Sequence, residues 1–135
     1  MSNAVHAAPT GGKMLWAGRI VSGLVVAFLL FDGAIKLVPL DVVITTSQEL
    51  GIPTHLARTL GVLTLICTLL YALPRTAVFG AILLTGYIGG AIYVHVRAGS
   101  PMFSHTLFGV YLGLLAWGGL WLRDARLRAL IPWQR

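Results

Sequence analysis

Six ionisable side chains near the ends of apolar segments are the residues of this sequence best suited to chemistry. They are Asp32, Lys36, Arg58, His95, Arg97 and His105. Asp32 and Lys36 are four residues apart and would face each other on a helix, where an ion pair lowers the cost of holding either charge in an apolar setting. A histidine can exchange protons near neutral pH. These residue types favour proton transfer or the binding of a polar ligand group.

The sequence lacks the motifs of several familiar chemistries. It contains no GxSxG, no glycine-rich phosphate loop and no CxxC, so hydrolysis, nucleotide binding and thiol redox chemistry have no motif support. The single cysteine, Cys67, lies in an apolar run and is expected to be a small core residue. Because His95 and His105 are separated by a turn and no HxxxH or ExxH pair occurs, we predict no metal site.

The composition is that of a membrane protein. Of 135 residues, 57% are hydrophobic and 10% are charged, whereas soluble domains average about 25% charged residues. So few charges cannot cover a globule of this size in water. The formal net charge is +6, but membrane topology accounts for the basic residues, so we expect the partner to be the lipid bilayer rather than nucleic acid.

Four uncharged runs are each close to the length that a helix needs to cross a bilayer. The third is the clearest, because no charged residue occurs between Arg75 and Arg97. Prolines fall between the runs, where a missing backbone donor does least harm. The sequence therefore predicts an all-α integral membrane four-helix bundle with spans at about residues 14–37, 54–73, 76–96 and 104–122.

The segments outside these spans are short. Residues 1–13 form an Ala-, Gly- and Pro-rich leader that we expect to be flexible, and residues 123–135 form a basic tail. The connection at residues 38–53 is compatible with a strand pair or a short interfacial helix, and we favour the helix.

The charges predict how the chain is threaded. Four crossings place both termini on one side, together with seven basic residues and one acidic residue, a net charge of +6. The opposite side carries three basic and three acidic residues. The positive-inside rule then places the termini in the cytoplasm and the protein in the inner membrane.

Small residues predict how the helices pack. The third span has small residues at four-residue steps, Ala77, Ala81, Thr85 and Gly89, with Gly86 and Gly90 on an adjoining stripe, and the fourth span has Gly109, Gly113 and the Gly118–Gly119 pair. They predict close packing between these two helices. In the second span, a polar stripe that runs from Arg58 through Thr64 and Thr68 to Tyr71 is expected to face the bundle interior, with the threonine hydroxyls bonded back to their own helix.

The same threading brings the six ionisable side chains, which we call the outer polar cluster, to one end of the bundle. One interpretation is that the basic side chains reach the lipid headgroups, that Asp32 neutralises one of them, and that the histidines lie in wet loops. The other is a cavity between the helices with a polar mouth, because ionisable residues within membranes are candidates for function.

Several segments resemble the DoxX-like family of small bacterial four-helix membrane proteins. They are FDGAIKL at residues 31–37, LGIP at residues 50–53, the block at residues 69–97 that includes YIGGAIYVHVR, and WGGLWLRDARLRALIP at residues 117–132. The resemblance implies a membrane four-helix bundle. The family takes its name from a membrane subunit associated with a thiosulfate:quinone oxidoreductase, and other relatives are linked to thiol and oxidative stress. No family catalytic motif can be transferred to this chain.

The leading functional hypothesis is a binding or accessory subunit that holds a quinone or similar amphiphile beneath the outer polar cluster. No cofactor motif is evident, and quinone is the candidate cofactor. One alternative is a membrane component of a quinone-linked oxidoreductase, and another is a structural or lipid-interacting protein without a substrate. A protein partner or a second copy of the chain is compatible with each hypothesis, and the sequence does not decide whether the protein is an enzyme.

Overall fold

The computed structural model describes residues 11–38 and 40–131, and helices account for nearly all of this part of the chain. No β-strand occurs within these two ranges. The elements, in chain order, are α1 (Gly12–Leu37), α2 (Asp41–Leu50), a 3-10 turn (Thr54–Leu56), α3 (Ala57–Ala72), α4 (Ala77–Ala98), a π-helical turn (Met102–Thr106), α5 (Phe108–Arg123) and α6 (Ala125–Leu130).

Four helical segments are long and apolar enough to cross a membrane, which confirms the predicted all-α bundle. They are Gly12–Leu37, Thr54–Ala72, Ala77–Ala98 and Met102–Arg123. Helix α1 packs mainly against α3 and α5, and α4 packs against the same two helices, so α1 and α4 lie diagonally across the bundle. Large apolar side chains such as Leu24, Phe79 and Leu114 are exposed on its outside. In a membrane protein these side chains contact the lipid.

The core is centred on Tyr71, whose side chain is completely buried. Its hydroxyl donates to the carbonyl oxygen of Ala116 at 2.5 Å and lies 3.2 Å from the Ser22 hydroxyl oxygen. These bonds connect α3 to α5 and α1. Buried apolar side chains from all four spans, including Val25, Leu84 and Leu120, surround this group. A satisfied polar link in an apolar interior fixes how the helices face one another.

The polar stripe of α3 faces inward as predicted, except at its first residue. Thr64 and Thr68 are fully buried, and each donates its hydroxyl to the carbonyl four residues earlier, at 2.8 and 2.6 Å. Back-bonding therefore satisfies both hydroxyls within their own helix. Arg58, by contrast, is exposed.

Only some of the glycines that were predicted to allow close packing do so. A Cβ added at Gly86, Gly89, Gly90, Gly113 or Gly118 would meet nothing within 4 Å. Of the predicted glycines, Gly109 lies tightly against Ile88 and Ile92 of α4, and Gly119 lies against Ser22 of α1. Further tight contacts occur at Gly18 against Arg123, at Gly33 against Leu65, and at Gly80 against the backbone of Leu70 and Tyr71. The expectation that small residues bring α4 and α5 close together is therefore confirmed at Gly109 and wrong for the five glycines that face open space. Composition does not reveal which neighbour a glycine faces.

Two helix ends use a glycine in the left-handed conformation. Gly51 follows α2 with φ of 72°, and Gly99 follows α4 with the same φ. Glycine adopts this conformation without the steric cost of a Cβ, so it stops each helix and turns the chain. The segment predicted as either a strand pair or a helix contains a helix, α2.

Some sequence-based expectations concern residues outside the described ranges. These are the flexible leader over residues 1–10, Pro39 as a break between segments, and the last part of the basic tail, residues 132–135. Of the remaining leader residues, Gly11 precedes α1, whereas Gly12 and Lys13 are the first two residues of that helix.

Candidate functional site

A cavity of about 530 Å³ lies beneath α2, between the C-terminal halves of α1 and α4 and the start of α3. One face of α2 lines it through Val42, Val43, Thr46, Ser47 and Leu50, of which Val43 and Ser47 are buried and Val42 and Thr46 are exposed. These positions recur at helical spacing, and Asp41, Thr45, Gln48 and Glu49 are exposed. Helix α2 is therefore amphipathic, with its apolar side toward the cavity.

Helix α4 contributes a second wall of the cavity. Gly86, Gly90 and Ala91 line the cavity together with Tyr87, Val94 and His95. Because Gly86 and Gly90 carry no side chain, and an added Cβ would meet nothing within 4 Å, these positions leave space where larger residues would fill it. The glycines that were expected to pack helices together instead help to form a cavity.

An ion pair marks one side of the cavity. The Lys36 ammonium donates to a carboxylate oxygen of Asp32 at 2.7 Å and to the Tyr87 hydroxyl at 3.3 Å. The two charged side chains are only 22% and 27% exposed. Lys36 therefore joins α1 to the diagonally placed α4. Partial burial removes hydration from both groups, and the hydrogen bond to Tyr87 offsets part of that loss.

The two histidines of the outer polar cluster lie side by side. Their ring centroids are 6.0 Å apart in an edge-to-face arrangement. The Nδ1 atom of His95 lies 3.0 Å from the Ser100 hydroxyl oxygen, and that of His105 lies 2.7 Å from the Ser104 hydroxyl oxygen. Only His95 lines the cavity. The structure therefore brings the histidines together, with one of them at the cavity wall.

Arg97 holds the end of α2. Its terminal Nη2 donates to the carbonyl oxygen of Leu50 at 2.8 Å, the last residue of that helix. The guanidinium also lies against Gly51, where an added Cβ would come within 3.2 Å of Nη2. Arg97 does not line the cavity, but it fastens the segment that covers it.

Comparison with known proteins agrees with this architecture. A family model described as the DoxX-like family matches residues 20–119. This match spans most of the chain and includes every residue that lines the cavity beneath α2. The chain belongs to the DoxX-like family. No curated protein and no solved structure matches it.

The structure of this DoxX-like protein gathers only part of the predicted site. Asp32, Lys36 and His95 line the cavity, His105 contacts His95, and Arg97 contacts α2. Arg58 is exposed and, among the described residues, has no hydrogen bond or ion pair. Its position at the start of α3 directs it away from the cavity lining.

Sequence reasoning missed Tyr87 and the inner face of α2. Tyr87 is an uncharged residue within an apolar run, so its residue type did not suggest a place in the site. Its spacing from His95 could have suggested one, because residues eight apart lie near the same face of a helix. Across residues 11–38 and 40–131, no group of three or more His, Cys, Asp or Glu side chains is placed to hold a metal ion.

Proposed function

We propose that this DoxX-like protein is a binding or accessory subunit that holds a small amphiphile, with quinone as the leading candidate, in the cavity beneath α2. The observation that carries the proposal is the cavity itself. Its volume of about 530 Å³ falls within the roughly 300–1,000 Å³ of small-molecule sites. Its polar groups are few and lie among apolar walls, as an amphiphile requires.

The polar groups match the head of such a ligand. The Lys36 ammonium and the Tyr87 hydroxyl are hydrogen-bond donors at the cavity wall. A quinone carbonyl is a hydrogen-bond acceptor, so either group is suited to bind it. His95 adds a side chain that can donate or accept a proton, whichever tautomer its contact with Ser100 selects.

The apolar walls match the rest of the ligand. Ile35, Val43, Leu60 and Val94 line the cavity, and Gly90 leaves the space beside them open. Burying a hydrocarbon chain or ring against such walls supplies non-directional affinity, while the few donors orient the head.

A matched pair of variants tests the proposal. The full-length protein in detergent is titrated with a short-chain ubiquinone analogue, and the same titration is made with Gly90→Leu and Gly89→Leu. Both glycines lie on α4 with open space around them, but only Gly90 lines the cavity. We expect Gly90→Leu to weaken binding by about 10-fold or more because it fills the cavity, and Gly89→Leu to bind like the unmodified chain. Equal affinity in both variants would contradict the proposal.

The same purified protein separates the alternatives. Quinone binding with reduction by a soluble partner that copurifies would identify a component of a quinone-linked oxidoreductase. Absence of any saturable binding by quinone or by another amphiphile would leave a structural or lipid-interacting protein and would end the cavity hypothesis.

A further inference from the structure

At the opposite end of the bundle, a second cavity of about 370 Å³ combines three arginines with an apolar wall. Arg19 of α1, Arg123 of α5 and Arg126 of α6 line it, together with the single acidic residue Asp124. The apolar part is formed by Leu15, Pro74, Ala77, Leu120 and Ala125. None of these residues belongs to the cavity beneath α2.

We propose that this cavity binds the phosphate group of an anionic ligand, with the phosphodiester of an anionic lipid as its leading source. The shared chemistry is a phosphate anion held by guanidinium groups, whose planar donors suit phosphate oxygens. Arg19 and Arg123 lie toward the ends of two spans, where lipid headgroups are found. The adjoining apolar wall suits the glycerol and upper acyl chain of a lipid.

The local charge is not neutralised within the described part of the chain. Asp124 uses one carboxylate oxygen to accept the backbone amides of Arg126 and Leu127, at 2.9 and 3.3 Å. Its contact with the Arg126 side chain is long, at 3.9 Å. The carboxylate caps α6 and pairs loosely with Arg126, so three positive charges lie beside a single negative charge.

Arg123 is held in place but incompletely bonded. Its Nη2 donates to the backbone carbonyl of Tyr71 at 2.8 Å, and its guanidinium carbon lies 5.0 Å from the Tyr71 ring centroid. Its Nε is buried without a hydrogen-bond partner among the described residues. A partly buried guanidinium with an unmatched donor favours a nearby anion.

Arg19 provides a second cation without a counter-charge. Its guanidinium carbon lies 5.6 Å from the Trp16 ring centroid, and no ion pair or hydrogen bond engages it within residues 11–38 and 40–131. Trp16 is itself 61% exposed. A tryptophan beside an arginine at a helix end is typical of the membrane interface.

Native mass spectrometry of the full-length protein tests this inference with dioleoylphosphatidylglycerol, the zwitterionic dioleoylphosphatidylcholine and inorganic phosphate as probes. We expect one phosphatidylglycerol to be retained in preference to phosphatidylcholine. Arg19→Gln and Arg126→Gln should each weaken retention about 5-fold, since each removes one guanidinium donor from the wall of the cavity. Arg75→Gln is the control, because Arg75 is exposed near the same end but does not line the cavity.

The outcomes identify the source of the phosphate. Arginine-dependent retention of phosphatidylglycerol identifies a lipid site, whereas arginine-dependent binding of inorganic phosphate alone supports the anion site with a free phosphate as ligand. If neither anion binds the unmodified chain, or if Arg75→Gln weakens binding as much as Arg19→Gln, the inference is overturned. Circular dichroism of every variant establishes that loss of binding is not loss of fold.

Discussion

The Lys36 ammonium lies 3.3 Å from the Tyr87 hydroxyl oxygen and joins the two diagonal helices of the bundle beside the cavity. Lys36 also pairs with Asp32 on its own helix. One cation therefore connects a carboxylate on α1 to a phenol on α4. This arrangement holds hydrogen-bond donors beside the apolar walls of the cavity, in a chain that contains few charged residues.

The Asp32–Lys36 pair predicts a selective response to charge removal. Asp32→Asn leaves the partly buried Lys36 without its counter-ion, and we expect the free energy of unfolding in detergent to fall by about 1–3 kcal/mol. Adding Lys36→Gln should recover part of that loss, because the uncompensated charge is then gone, but should not recover ligand binding. Thermal unfolding measures the loss of stability and its partial recovery, and the quinone titration measures ligand binding.

The control for this prediction is Asp41→Asn. Asp41 is exposed in the first turn of α2 and has no ion pair in the described part of the chain. Its replacement should therefore lower the free energy of unfolding by less than ~1 kcal/mol, the contribution of a charge at a helix N-terminus. Equal destabilisation by Asp32→Asn and Asp41→Asn would show that the ion pair contributes little to stability.

Arg97 predicts how firmly α2 covers the cavity. Arg97→Gln removes a guanidinium that bonds the Leu50 carbonyl, so we expect amide hydrogen exchange in residues 41–50 to rise about 2- to 5-fold. The control is Arg58→Gln, which removes an exposed arginine without that bond. Unchanged exchange in α2 for Arg97→Gln would contradict its assigned role.

The buried Tyr71 hydroxyl predicts a stability difference between two tyrosines. Tyr71→Phe loses the hydrogen bond to Ala116 and the contact with Ser22, and we expect a loss of about 0.5–1.5 kcal/mol in unfolding free energy. Tyr93→Phe removes the same atom from a side chain that is 65% exposed and should have little effect. Comparable unfolding of both variants would refute this role for Tyr71.

The helices and the Asp32–Lys36 pair could be predicted from the sequence because they depend on local spacing. A charge-free run sets a span, and a four-residue interval puts two side chains on one helical face. The location of the cavity could not be predicted from the sequence, because it depends on how α2 and α4 are rotated relative to α1. Gly90 illustrates the difference. A glycine is compatible with either tight helix packing or open space, and the residues around it in the folded structure determine which of the two occurs.

Arg58 shows the same limit from the other direction. The predicted order of the membrane crossings correctly placed Arg58 at the end of the bundle that carries α2. The depth of a residue in the membrane, however, does not determine which side of its helix the residue lies on. Ala57 and Leu60 of α3 line the cavity, whereas Arg58 does not. The membrane-spanning architecture is thus readable from composition, and the site requires the packing.

The charge asymmetry predicts orientation in the inner membrane. In a Cys67→Ala background, a membrane-impermeant maleimide applied to spheroplasts should label Glu49→Cys on α2 but not Arg75→Cys at the opposite end, because positive residues favour the cytoplasmic side. Lysed membranes should label both. Labelling of Arg75→Cys alone in intact spheroplasts would reverse the threading.

Photo-crosslinking tests the ligand cavity most directly. A short-chain quinone analogue that carries a diazirine is bound to the full-length protein, irradiated and mapped by peptide mass spectrometry, with excess unmodified quinone as competitor. The cavity account predicts competed labels on residues that line the cavity, in segments 32–36, 42–52 and 86–95. Labels confined to lipid-facing positions such as Leu24 or Leu114, or labels that excess quinone does not reduce, would contradict it.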